Sequence, residues 1–258
     1  MPTALVTGAT AGIGLEFARQ LAARGHDLVL VARDTARLET VAGDLQATYG
    51  VAAEVLTADL VDREQLAIVE ARVASLDRPV DLLVNNAGFG LKKRFGDNDV
   101  EQEQAMLDVL VVAVMRLSHA ALGAMSARGR GGIINVSSVA AFLPRGSYSA
   151  AKAYVNSFGA WAAGEYRPKG VTVTTLCPGF TKTEFHERMS VRRGSGYLWL
   201  EADFLVSECL SDFDKGKAMS VPGRQYKVIT AATRMVPTRL ALRFQNIGRK
   251  YPVTPRRR

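Results

Sequence analysis

Thr7-Gly8-Ala9-Thr10-Ala11-Gly12-Ile13-Gly14 is the stretch on which the fold turns. It follows a short apolar run, Ala4–Thr7, and opens a helical segment, Gly12–Arg24. Glycines at such a junction allow backbone conformations and close approaches that a side chain would block. The helix that follows aims its free N–H groups, and the positive end of its dipole, back at the turn, where a phosphate fits. A tight turn that binds nothing is the plain alternative. The position between a strand and a helix favours the phosphate reading.

The same alternation continues along the chain. Asp27–Ala32, Ala53–Ala58, Leu82–Asn85, Gly132–Ser137 and Val171–Cys177 read as strands. They are apolar on both sides, as strands covered by helices on both faces must be. Thr35–Tyr49, Asp62–Leu76, Val100–Arg128 and Ser147–Tyr166 read as helices between them. Regular β-α alternation implies right-handed crossovers and an α/β fold, a doubly wound parallel sheet of Rossmann-like type with helices on both faces. The pattern predicts one domain over residues 1–258. Its core spans about residues 3–182, a substrate lid about 183–221, and a helical extension about 223–258.

Bulk properties narrow the function. The 258 residues are 48% apolar, enough to bury a sizeable core of Val, Leu, Ile and Ala. Net charge is +8, with excess at Arg192–Arg193 and Arg256–Arg258. A basic surface attracts an anionic cofactor, an acidic partner or a membrane. No recognition helix or base-stacking platform accompanies it, so no nucleic-acid partner is expected. Two cysteines, Cys177 and Cys209, form no disulfide framework. His26, His119 and His186 show no metal-ligand spacing, so no metal is expected. The first strand lies close to Met1 and no apolar run approaches the ~18 residues of a membrane span, so the expected location is cytoplasmic.

The spacing T-G-x-x-x-G-x-G resembles the short-chain dehydrogenase/reductase family, compact single-domain type. The resemblance extends to Asn85-Asn86-Ala87-Gly88 after the fourth strand and Ser137-Ser138 after the fifth. It includes Tyr148-Ser149-Ala150-Ala151-Lys152 at the start of a helix, and Pro178-Gly179-Phe180-Thr181-Lys182-Thr183 after the sixth strand. With seven tyrosines a lone Y-x-x-x-K match carries little weight, but the motifs occur in order on the right elements. The resemblance is strong over about residues 3–190.

It implies an oxidoreductase that moves a hydride between a nicotinamide and a carbonyl/alcohol pair. Hydride arriving at a carbonyl carbon leaves negative charge on oxygen, which needs a proton donor and hydrogen bonds. Tyr148 is the implied donor, and Lys152, one helical turn on, brings a charge that lowers the phenol pKa and holds the cofactor ribose. Ser138 would bind the substrate oxygen, with Ser137 the alternative. Cofactor contacts are implied at Gly8, Thr10, Gly12, Ile13, Gly14, Arg33, Asp59, Leu60, Asn86, Ala87, Gly88, Tyr148, Lys152, Pro178, Gly179, Thr181 and Thr183. Family members with an acidic residue at the position of Ala32 select NAD. Here Arg33 follows and suits a ribose 2′-phosphate, so NADP is preferred over NAD. The competing readings are an Arg33 salt bridge and Asp59 as a helix N-cap.

One residue departs from the family pattern. An asparagine that orders a proton-relay water is replaced by Leu110, and Asp108 lies two positions off and should face elsewhere. A catalytically impaired NADP-binding sensor or scaffold on the same fold is therefore the alternative. Phe180, Phe185, Tyr197, Leu198, Trp199 and Phe204 make the lid apolar, which favours an apolar substrate. The family associates through helices corresponding to Val100–Arg128 and Ser147–Tyr166, so a homodimer or homotetramer is expected. Leu240, Phe244 and Ile247 share a face if Thr238–Lys250 is helical. Packing on the fold is preferred to peripheral membrane contact, because the apolar stripe is narrow.

Overall fold

The computed structural model describes residues 1–183, 196 and 198–235. The segment Thr238–Lys250 and the lid residues Phe185 and Tyr197 lie outside them. Strands β1 (Thr3–Thr7), β2 (Asp27–Ala32), β3 (Ala53–Thr57), β4 (Leu82–Asn85), β5 (Gly131–Val136) and β6 (Val171–Leu176) fall where the apolar runs place them. A seventh, β7 (Met219–Ser220), is too short to show any period in the sequence. The sheet is parallel throughout, in the order β3-β2-β1-β4-β5-β6-β7.

The pleat sorts alternate strand residues to opposite layers. Ala4, Val6, Leu28 and Leu30 pack beneath α1 (Gly12–Ala23) and α2 (Thr35–Tyr49). Leu5, Val29, Val31 and Leu83 face α3 (Arg63–Ala74) and the long helix on the other side. That long run, Val100–Arg128, is three pieces: α4 (Val100–Leu107), a π turn (Asp108–Ala113) and α5 (Val114–Arg128). Among the described residues it alone is long and apolar enough to cross a membrane, yet half of it is buried in the fold. Helix α6 (Ser147–Tyr166) completes this layer.

The stretch read as a lid divides. Its second half supplies α7 (Ala202–Asp214), which packs on α1 and buries Leu205, Val206, Cys209 and Leu210, and then β7 at the sheet edge. This part belongs to the layered core. Helix α8 (Arg224–Met235) follows and packs against the 3-10 turn Val139–Phe142.

The strand order reverses direction between β1 and β4. The connections from their carboxyl ends leave on opposite sides there and open a crevice, where parallel α/β sheets bind ligands.

Candidate active site

The carboxyl ends of β1 to β6 and the turns after them meet at that crevice and line a cleft of about 870 Å³. Of the residues expected to hold a cofactor, Gly8, Thr10, Gly12, Ile13, Arg33, Asp59, Leu60, Asn86, Ala87, Gly88, Pro178, Gly179, Thr181 and Thr183 line it, together with Ser138, Tyr148 and Lys152. Gly14 does not; it sits behind the wall. A Cβ there would fall 2.2 Å from the Gly8 carbonyl oxygen and 2.4 Å from Asn86 Nδ2, so this glycine serves close packing of helix on turn. Gly12 has φ +55°, a conformation that side-chain-bearing residues rarely adopt.

Thr7 and Asn86 hold the β1 and β4 turns together. Thr7 Oγ1 donates to the Val84 carbonyl at 3.3 Å and accepts the Asn86 and Ala87 N–H groups at 2.9 and 3.0 Å. Asn86 Nδ2 donates to the Thr7 carbonyl at 2.9 Å. Thr7 opens the glycine-rich motif, but its bracing role needed β4 as a neighbour to become visible.

The phosphate end of the cleft has the chemistry of an anion site. Helix α1 begins at Ala11, whose side chain cannot cap it, and no acidic residue occupies its first turn. Its N-terminal dipole therefore faces the cleft without a competing carboxylate. Arg33 and Arg37 stand at the far end. Arg37 was not singled out from the sequence, although a second arginine in the first turn of α2 is a signal for an anion. Asp34 caps α2 by accepting the Arg37 N–H at 3.1 Å. Arg33 lies 3.9 Å from Asp59, with 71% of its side chain exposed, an ion pair that leaves the guanidinium free to turn. Asp59 is not the N-cap of α3; Asp62 fills that role, accepting the Glu64 and Gln65 N–H groups. These features fit a nicotinamide dinucleotide, and the basic pair fits one carrying a further phosphate.

Ser138, Tyr148 and Lys152 converge at the other end. Ser138 is hydrogen-bonded to Tyr148, and its Oγ accepts the Ala140 N–H at 3.1 Å. Ser137 is occupied elsewhere, donating to the Lys152 carbonyl at 2.9 Å, so Ser138 is the serine that faces the tyrosine. Lys152 is 4% exposed; its Nζ donates to the Val136 carbonyl at 2.7 Å and stands 5.9 Å from the Tyr148 ring centroid. Burial governs both groups. It pushes the Tyr148 phenol up to about 12, against the pull of the Ser138 hydrogen bond. It brings the Lys152 ammonium down to about 8. The lowering expected from the cationic neighbour does not appear; enclosure raises the phenol, and the group that pulls it down is Ser138.

Leu110 is fully buried in the π turn and packs with Met106, Ala151 and Tyr148. Its Cδ2 lies 2.8 Å, and Lys152 Nζ 4.0 Å, from where a Gly88 Cβ would be. Leu110 and Lys152 thus both approach Gly88. Asp108 faces outward and accepts from Gln104 at 3.0 Å. Glu103 was not foreseen. Its carboxylate, in a residue only 6% exposed, accepts from Asn98 at 2.6 Å and from the Ser147 hydroxyl, bracing the start of α6 beside Tyr148. Gly146, the cap residue there, offers no side chain for that purpose.

A profile described as short chain dehydrogenase matches residues 2–193. A very-long-chain 3-oxoacyl-CoA reductase from Anas platyrhynchos is 34% identical over 189 residues, 70% of this chain and 60% of that protein. The chain therefore spans less than two thirds of that relative's length. A short-chain dehydrogenase from Sphingobium yanoikuyae, solved in complex with NADPH, superimposes with TM-score 0.83 at 32% identity over 100% of both chains. A bulky-bulky ketone specific alcohol dehydrogenase from Comamonas testosteroni does so with TM-score 0.80 at 30% identity, covering 91% of this chain and 92% of that one.

Proposed function

Because the chain belongs to the short-chain dehydrogenase/reductase family of oxidoreductases, we propose that it interconverts an apolar carbonyl and its alcohol with NADP(H), using Tyr148, Lys152 and Ser138. The carrying observation is one cleft with two chemically distinct ends. Ser138, Tyr148 and Lys152 converge at one, and Arg33 and Arg37 stand at the other.

The bound nicotinamide would supply or accept the hydride. Ser138 would orient the substrate oxygen by a hydrogen bond. Tyr148, held protonated by burial, would donate its proton as negative charge grows on that oxygen. The phenolate so formed is met by the Lys152 cation, which is available below about pH 8. Lys152 would also hold the ribose hydroxyls. With Leu110 buried in the helix layer, the Tyr148 phenolate would regain its proton from the cleft rather than through that layer.

NADP(H) over NAD(H) is supported by Ala32 where an acid would select NAD, by Arg33 and Arg37, and by the NADPH bound to the Sphingobium relative. An apolar substrate is supported by Phe89 and Leu91 beside Tyr148, and by Phe180 stacked on Trp199 at 5.4 Å. The ketone specificity named for the Comamonas relative points the same way. For assembly we propose a dimer or tetramer through the outer faces of α5 and α6. There Tyr154, Phe158 and Trp161 form a continuous aromatic stripe, and Trp161 is 55% exposed. Neither Cys177 nor Cys209 is in a disulfide and both are buried, which suits the reducing cytoplasm proposed as its location. A screen of apolar ketones and alcohols with both cofactors, read by absorbance of the reduced nicotinamide, tests the reading. NADPH binding without turnover of any of them would favour the sensor alternative.

A further inference from the structure

Tyr226 on α8 touches the turn after β6 in a way that the proposed chemistry leaves unused. The residue is 3% exposed, although it lies far from the family motifs in sequence. Its ring covers Gly179 so closely that a Cβ on Gly179 would fall 1.9 Å from Cζ. Its hydroxyl accepts the Phe180 N–H at 2.9 Å and donates to the Leu198 carbonyl at 2.6 Å. The two backbone segments are zipped further by Leu200 N–H to the Phe180 carbonyl at 2.9 Å and Lys182 N–H to the Leu200 carbonyl at 3.0 Å. One phenol thus bonds a backbone donor on one segment and a backbone acceptor on the other, and caps a short ladder.

The turn that Tyr226 holds runs from beside Ser138 to the glycine-rich turn, short of the arginines. Val139, next to Ser138, donates its N–H to the Pro178 carbonyl at 2.9 Å. Thr183, at the far end of the turn, stands against Gly12, with its Cβ 3.0 Å from where a Gly12 Cβ would be. Helix α8 is itself anchored. Glu208 on α7 accepts the Gly223 N–H at 3.0 Å and pairs with Lys227. A rigid support therefore reaches from α7, through α8 and one hydroxyl, to the backbone of the cleft wall. The arginines at the adenosine end are outside this chain of contacts.

We infer that Tyr226 is a positioning residue for the cofactor: by fixing Gly179–Thr181 it sets the affinity for the nicotinamide half while leaving the half near Arg33 and Arg37 untouched. The inference rests on the NADP(H) reading above. Tyr226→Phe keeps the ring on Gly179 and removes only the two hydrogen bonds. Fluorescence titration should show NADPH bound about tenfold more weakly, because binding must then also order the turn that the two hydrogen bonds had fixed. Adenosine 2′,5′-bisphosphate, which lacks the nicotinamide half, should bind as before, within about twofold, with the melting temperature shifted by only a few degrees. Unchanged NADPH affinity overturns the inference, and so does equal weakening of both ligands. If the unmodified protein prefers NADH, the cofactor assignment falls instead. The same comparison with NADH and 5′-AMP then decides Tyr226 by the same criteria.

Discussion

Lys152→Met should stabilise the protein at neutral pH and reverse sign in alkali. Folding lowers the Lys152 ammonium from 10.5 to about 8, chiefly through burial. At about 1.4 kcal/mol per unit, keeping the charge in the folded state costs about 3 kcal/mol below pH 8. Methionine has similar length and no charge, so the substitution removes that cost. It also removes the hydrogen bond to the Val136 carbonyl, worth about 1 kcal/mol. The net expectation is a gain of about 2 kcal/mol at pH 7. Between about pH 8 and 10.5 the unfolded state binds more protons than the folded one, so wild-type stability rises with pH while the variant lacks this contribution. Above 10.5 only the lost hydrogen bond remains, and the variant becomes less stable by about 1 kcal/mol. Urea unfolding of both proteins at the two extremes measures the difference, and other titrating groups cancel in the comparison. A variant destabilised equally at both pH values would refute the reasoning. A stability cost at Lys152 would also fit its proposed catalytic role, since active sites commonly trade stability for function.

The other expectations concern the same cleft and the outer helices. Tyr148→Phe should lower turnover on a confirmed substrate by at least about 100-fold while NADPH affinity stays nearly intact, since the phenol's role is proton transfer; steady-state kinetics with a separate binding titration will tell. Arg33→Ala should erase much of the preference for NADPH over NADH, a charged contact being worth roughly 1.5–3 kcal/mol, and equal calorimetric affinities in the unmodified protein would remove Arg33 as selector. Leu110→Asn should cost about 1–3 kcal/mol by burying an amide among Met106, Ala151 and Tyr148, and a rise in activity would reveal a restored proton relay. Light scattering at micromolar concentration should give a dimer or tetramer mass that Trp161→Arg reduces; a monomer in the unmodified protein contradicts the assembly.

Six of the seven strands, the helices between them and the parallel arrangement that their alternation implies were legible, while β7 and the strand order were not. Period-two and period-3.6 patterns, and a turn that needs glycine, are local consequences of backbone sterics. Ser138, Tyr148 and Lys152 became candidates through the resemblance to the short-chain dehydrogenase/reductase family, whose motifs sit on these elements in order. Other assignments depended on partners that no local rule supplies. Gly14 looked like part of the cofactor wall, and only its distance to Asn86 showed that it packs behind. The preference for Ser138 over Ser137 rested on the family pattern until the bond from Ser137 to the Lys152 carbonyl gave a physical reason. Glu103 reads as an ordinary polar helix residue until α6 brings Ser147 to it. Tyr226 reads as core filler until α8 lays it on Gly179. Burial is likewise a tertiary property, and it put the Tyr148 phenol and the Lys152 ammonium on opposite sides of where charge pairing alone would hold them. The sequence determined which residues could do the chemistry. The tertiary structure decided which of them are desolvated, paired and braced, because those conditions are set by groups distant along the chain.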